Sequence, residues 1–112
     1  MSERIIVLMT AGSQEEAERI AQTLVHEFLA ACVNVLPGVT SVYRWQGEIH
    51  RDQEWLLVAK SRSEVLDDLV RRVQAVHSYE VPEIIALPLV GGSESYLRWI
   101  DREVHGGWHD LN

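Results

Sequence analysis

Hydrophobic and polar positions along the chain fall into blocks whose period switches between two and about three and a half. Ile5 to Thr10 is an apolar, β-branched-rich run closed by Ala11-Gly12, the pattern of a buried strand. Ser13 then stands where it can cap a helix, with Glu16 three residues on as the second half of a capping box. Ala17, Ile20, Ala21, Leu24, Val25, Phe28 and Leu29 recur at helical spacing after it. From Cys32 to Ile49 the chain is rich in Val, Thr, Tyr and Trp. Val39, Ser41, Tyr43 and Trp45 fall on one face and Thr40, Val42 and Arg44 on the other, which predicts one long strand. Pro37-Gly38 interrupts it, so a bulge or bend on an edge strand is expected, because a central strand would lose a ladder hydrogen bond there. His50-Arg51-Asp52 is the expected turn, and Glu54 to Ser61 the returning strand of a hairpin.

Ser63 is placed to cap a second helix, with Val65, Leu66, Leu69, Val70, Val73 and Val76 as its apolar stripe and His77-Ser78 at its end. Pro82 holds Val81 extended and cannot donate an amide hydrogen, so a new strand is expected from Glu83 to Leu89. Its unbroken Ile84 to Leu87 core reads as a strand covered on both faces or held centrally. Gly91-Gly92 breaks the chain before a third helix in which Leu97, Ile100 and Val104 share a face. Gly106-Gly107 stops that helix, and Trp108 to Asn112 is expected as an irregular tail docked through Trp108.

Strand, helix, strand, strand, helix, strand is the split pattern of an α+β, ferredoxin-like βαββαβ sandwich, here with an extra C-terminal helix and a long β2-β3 hairpin. Crossover handedness leads us to expect strands one and three, and strands two and four, as near neighbours in a mostly antiparallel sheet. The strand from Cys32 to Ile49 would span on the order of 55 Å at ~3.3 Å per residue, more than its neighbours can flank. The hairpin must overhang, and its exposed edges and aromatics imply a homo-oligomer.

At 112 residues and 46% hydrophobic content the chain suits one domain, residues 1–112. A formal charge of −7, with no basic run to offset it, argues against nucleic acid as a partner. Cys32 is the single cysteine, so an intrachain disulfide and a CxxC site are both excluded. The apolar run at Ile5 to Met9 is too short for a secretory or membrane-spanning segment, and the expectation is a soluble cytoplasmic protein with no membrane partner.

Candidate chemistry gathers at His77 to Leu89, HSYEVPEIIALPL, where a helix-to-strand corner carries His77 and Glu80. These two can present an imidazole and a carboxylate to one metal ion, or His77 can be a surface side chain bonded to a backbone carbonyl. Cys32 reads either as a soft thiolate donor or as a buried, inert thiol, and Met9 either as a thioether donor or as core. His50, His105 and His109 read as solvated, the last two able to take adventitious metal. Lys60, Glu83, Tyr43 and Trp45 could line a cleft between subunits; Lys60 could equally pair with Glu83 or Glu80. There is no GxSxG elbow, glycine-rich phosphate loop or HExxH, so no enzyme is expected.

The segments AACVNVLPGVTSVYRWQGEI (Ala30 to Ile49), HSYEVPEIIALPL and YLRWI (Tyr96 to Ile100) resemble the CutA family of divalent-cation tolerance proteins, over nearly the whole chain. The resemblance implies a cytoplasmic homotrimer, similar in architecture to PII signalling trimers and linked to copper and other divalent metals. One departure is Ser78, where the family commonly has proline after the histidine. Two functions follow as expectations. The first is metal tolerance by a trimer that binds copper or another divalent ion through His77, Cys32, Glu80 and Met9 without turnover. The second is a PII-like signalling or assembly trimer that binds a small molecule in its intersubunit cleft.

Overall fold

The computed structural model describes residues 3–105. Strand β1 (Arg4–Ala11) leads to helix α1 (Gln14–His26). A hairpin follows, made of β2 (Cys32–Trp45) and β3 (Glu48–Arg62). A single 3-10 turn at Ser63–Val65 then opens into α2 (Leu66–Val76), followed by β4 (Ile84–Pro88) and α3 (Glu94–Glu103). The strands form one sheet in the order β2-β3-β1-β4 with every pairing antiparallel. This is the ferredoxin-like arrangement with the added helix and long hairpin. It corrects one expectation: β2 and β4 are the two opposite edges, because β1 occupies the centre between β3 and β4.

Strand alternation divides the sheet into two unlike faces. Ile5, Val7, Met9 and Ala11 of β1 and Leu57 and Ala59 of β3 are buried, in one core with Ile20 and Leu24 of α1 and Leu69 and Val73 of α2. Each such large side chain contributes about 1.5–3 kcal/mol by leaving water. On the opposite face the register sets Leu8 between Val58 and Ile85, and Ile6 between Lys60 and Leu87. Ile85 and Leu87 are about half exposed. The expectation that β4 is covered on both faces therefore fails. It is an edge strand, and its unbroken apolar run reflects a sheet face that the chain itself leaves open. Helix α3 is tied to β1 by a forked pair, Arg4 Nε and Nη2 donating to Asp101 at 2.9 and 2.6 Å.

Three local boundaries also differ. Helix α1 stops at His26, short of Phe28 and Leu29; Phe28 turns left-handed at φ 62°, and the Leu29 and Ala30 amides close on the Leu24 carbonyl. The hairpin turns at Gln46-Gly47 and not at His50-Arg51-Asp52. Both turn residues have positive φ, 51° and 82°, the two-residue geometry whose twist matches the flanking strands. Ile49 to Asp52 consequently pair within β3 against Arg44 to Ser41. Ser63 does not cap α2; its hydroxyl accepts from the Glu3 amide at 3.0 Å. The bend at Pro37-Gly38 is present as a register shift between Leu36 and Val39, on an edge strand as expected. The hairpin also overhangs: β1 pairs with Trp55 to Arg62 only, leaving residues 48–54 of β3 paired with β2 alone. Gly106-Gly107, the Trp108 to Asn112 tail and His109 lie outside the described residues.

Candidate cation-binding cleft

Where the segment after α2 rounds the end of β1 to begin β4, it faces the overhanging hairpin across a cleft of about 690 Å³. Hairpin alternation puts Ser41, Tyr43 and Trp45 on one side of β2, and the register brings Asp52 and Glu54 of β3 onto that same side. The corner segment supplies Tyr79, Glu80 and Glu83. Four carboxylates, Asp52, Glu54, Glu80 and Glu83, thus line the cleft, and no Lys, Arg or His is among its lining residues. A concavity of one sign with low-dielectric walls focuses potential and raises the local concentration of counter-ions.

The floor is ordered by hydrogen bonds. Glu54, 6% exposed, accepts from the Tyr79 hydroxyl at 2.7 Å. Burial, followed by the carboxylate of Glu54, holds the Tyr79 phenol well above the usual tyrosine range, so it stays a donor. Tyr43 donates to Asp52, which pushes the Tyr43 phenol up as well, and its ring stacks on His50 at 5.5 Å.

Behind the floor sits a buried carboxylate, Glu16. Its amide takes the Ser13 cap as expected (3.1 Å), but its side chain turns away from the cap. It accepts from the Ser78 amide (2.7 Å) and hydroxyl (3.0 Å), and from the Gly12 backbone. Burial alone would raise its pKa; the Ser78 and Gly12 donors outweigh it and hold the carboxyl below the ordinary glutamate range. Ser78 therefore gives Glu16 two donors that a proline at this position lacks.

The four residues singled out from sequence are not brought together. Glu80 is exposed and lines the cleft. His77 has a fully buried side chain, not the exposed corner position expected, and both its ring nitrogens meet partners within the chain, the Thr10 carbonyl and the Tyr79 amide. Met9 is fully buried in the core, flanked in the sheet by Leu57 and Ile84. Cys32 is half-buried on the row of Lys60 and Ile6, four residues along β1 from Thr10 and so about 13 Å from the His77 end. Its sulfur lies 3.9 Å from Lys60 Nζ, and the Tyr96 phenol is pushed up by burial first and then by Cys32. Lys60 bonds Asn34 and does not reach the cleft; Glu83, Tyr43 and Trp45 do. Among the described residues no three His, Cys, Asp or Glu side chains converge closely enough to hold a metal ion. A second, more open groove of about 660 Å³ runs along α1 past Arg19 and His26, without a convergent polar set.

A ferredoxin-like sandwich with an overhanging hairpin, an open apolar sheet face and an acid-lined cleft at the β1 end defines the class as a small α+β protein. The family profile described as CutA1 divalent ion tolerance protein matches residues 5–103, and the chain belongs to that family. The divalent-cation tolerance protein CutA of Thermus thermophilus is 53% identical over 95 residues, 85% of this chain and 92% of that one. The chloroplastic protein CutA of Arabidopsis thaliana is 47% identical over 96 residues, 86% of this chain; the chain spans only 53% of that relative's length. The solved Thermus thermophilus structure superposes with a TM-score of 0.88 at 50% identity, covering 94% of this chain and all of that one. A structure described as the periplasmic divalent cation tolerance protein CutA of Archaeoglobus fulgidus gives 0.88 at 41% identity, covering 91% and 99%.

Proposed function

We propose that the protein serves divalent-cation tolerance by binding the ion, without substrate turnover, as a homotrimer. The observation that carries this reading is the cleft whose lining holds four carboxylates and no Lys, Arg or His. Oxygen donors suit hard divalent ions, and Cu(II) accepts oxygen and nitrogen ligands, so copper remains within the range of the site. Because the carboxylates of one chain do not converge, the coordination is completed by water and by a neighbouring copy. The open face around Ile6, Leu8, Val58, Ile85 and Leu87 and the two-stranded overhang, with Val42 and Ile49 about two-thirds exposed, supply the apolar surface that such an assembly buries.

A second reading, a signalling or assembly trimer with a small molecule in the same cleft, is favoured by the aromatic side chains of Tyr43, Trp45 and Tyr79 among the dispersed carboxylates. The lining selects a cationic ligand in that case.

The test is a titration of untagged, metal-free protein with Cu(II) and Mn(II), run beside Glu80→Gln/Glu83→Gln, His77→Ala and Cys32→Ser. A tenfold or larger loss of affinity in the carboxylate variant, about 1.4 kcal/mol, is expected. Unchanged binding in that variant, with loss in His77→Ala or Cys32→Ser, overturns the placement of the ion in the cleft.

A further inference from the structure

The corner behind the cleft holds a histidine whose partners define its proton. His77 Nε2 lies 2.7 Å from the Thr10 carbonyl oxygen, which can only accept, so Nε2 carries the hydrogen. The Tyr79 amide, which can only donate, points at Nδ1 from 3.0 Å, so Nδ1 carries none. The ring is held neutral in one tautomer, inside a side-chain site with no solvent exposure. Yet Oε2 of Glu16 stands 3.6 Å from the same Nδ1, an acceptor waiting for a hydrogen that Nδ1 does not bear.

Nδ1 therefore has two alternative partners, and a proton selects between them. Unprotonated, it accepts from Tyr79. Protonated, its N–H would meet the Tyr79 N–H donor to donor, while Glu16 offers a charged acceptor. The side chain of Tyr79 is tightly placed at both ends. Its ring tilts against His77 at 4.6 Å, and its hydroxyl donates to Glu54 and lies 2.9 Å from where a Cβ on Gly12 would be. The groups facing His77 are Glu16 from α1, the Thr10 carbonyl from β1 and Tyr79 from the corner itself, with Glu54 of β3 reached through Tyr79.

We propose that this corner is a proton-operated latch. A proton taken from solvent by His77 Nδ1 transfers that nitrogen from the Tyr79 amide to the Glu16 carboxylate, releases Tyr79, and leaves Glu54 without its hydroxyl donor. Histidine is the side chain whose charge ordinarily changes between about pH 5 and 8, and that is the range to be scanned. His77 is in this role a positioning residue. Only the consequence, a cation affinity of the cleft that responds to pH through Glu54, rests on the function proposed above.

The experiment is a nitrogen-15 NMR titration of the metal-free, full-length protein from pH 8 to pH 5, following the His77 ring nitrogens and the Tyr79 amide. At pH 8 the ring shows hydrogen on Nε2 and none on Nδ1. On acidification Nδ1 gains a proton and the Tyr79 amide moves with the same midpoint. Glu16→Gln, which removes the charged acceptor, lowers that midpoint by about one pH unit, a tenfold drop in proton affinity. If that variant does not fold, the wild-type titration decides alone. A His77 ring still neutral at pH 5, or a Tyr79 amide that stays put while the ring titrates, overturns the latch. Mn(II) titrations at pH 6 and pH 8 on wild type and Tyr79→Phe then test the link to the cleft. A pH dependence that differs between the two supports the link, and an identical one overturns it. Absence of Mn(II) binding at either pH removes the cleft reading and leaves the NMR result standing.

Discussion

Replacing Ser78 by alanine and by proline separates the two hydrogen bonds that hold Glu16. The carboxylate is 5% exposed and accepts from the Ser78 amide at 2.7 Å and from its hydroxyl at 3.0 Å. A hydrogen bond to a charged group contributes about 1.5–3 kcal/mol, and Ser78 itself is exposed, so water replaces part of the lost hydroxyl. Ser78→Ala is therefore expected to cost about 1–1.5 kcal/mol, near the lower end of that range. Ser78→Pro removes both donors. His77 already holds φ −85° and ψ 143°, the extended conformation that a following proline requires, so the residue before the ring is not strained. The ring stiffens the unfolded chain by about 0.4–1 kcal/mol in the protein's favour, leaving a net loss of about 2–4 kcal/mol near pH 7.

Urea unfolding at one fixed subunit concentration measures both variants, since an oligomer's midpoint moves with concentration. The pH dependence supplies a control. Glu16 has a lower pKa folded than unfolded, so its stabilisation is complete above the ordinary glutamate value of 4.5 and disappears as pH falls through the folded value. The gap between wild type and Ser78→Pro must then narrow below pH 4.5. A proline variant as stable as wild type at pH 7, or a gap that does not change with acid, refutes the reasoning.

Leu57, with no exposed surface at the centre of the core, should lose about 2–5 kcal/mol on substitution by alanine, read as a shift of the urea midpoint with an unchanged slope. Gly47, at φ 82° in the hairpin turn, should lose about 1 kcal/mol or more on Gly47→Ala, with faster amide exchange confined to the overhang; uniform exchange along the hairpin would contradict it. Leu8→Glu places a charge in the middle of the open sheet face, between Val58 and Ile85, and should break up the assembly proposed above, read as sedimentation at the monomer mass. An unchanged oligomer would remove that face from the interface.

Order and type of the main elements were legible because each carried its own periodicity: Ala17, Ile20 and Leu24 at helical spacing, and the alternation of Trp55, Leu57 and Ala59 against Leu56, Val58 and Lys60. What failed depended on tertiary context. Ile84 to Leu87 resembles a strand buried on both faces, and nothing local distinguishes burial by the same chain from exposure on an open face. Gly47 at the second turn position is a local signal for the Gln46-Gly47 turn, which a reading that places the turn at the polar His50-Arg51-Asp52 passes over. At the cleft, Glu80, Glu83, Tyr43 and Trp45 were visible. Asp52 and Glu54 become part of it only through the hairpin register, and Glu16 only because α1 packs beside the corner more than sixty residues away in sequence. His77 stood out for its chemistry, but its burial follows from Thr10 and Tyr79 closing around it.

The central place of β1 has a consequence for how the chain is made. Strand β1, Arg4–Ala11, precedes both of its partners in the chain, so it has no lasting partner until β3 is synthesised, and its other edge stays bare until β4 follows. Val7 waits for both Ala59 and Ala86. Pairings this distant carry a loop-closure cost before any contact offsets it, so the nascent chain holds an apolar, unpaired strand while α1 and β2 are being made. Among the described residues, the hairpin of β2 and β3, joined by a two-residue turn, is the one piece of sheet that can form locally, and it offers that strand its first template.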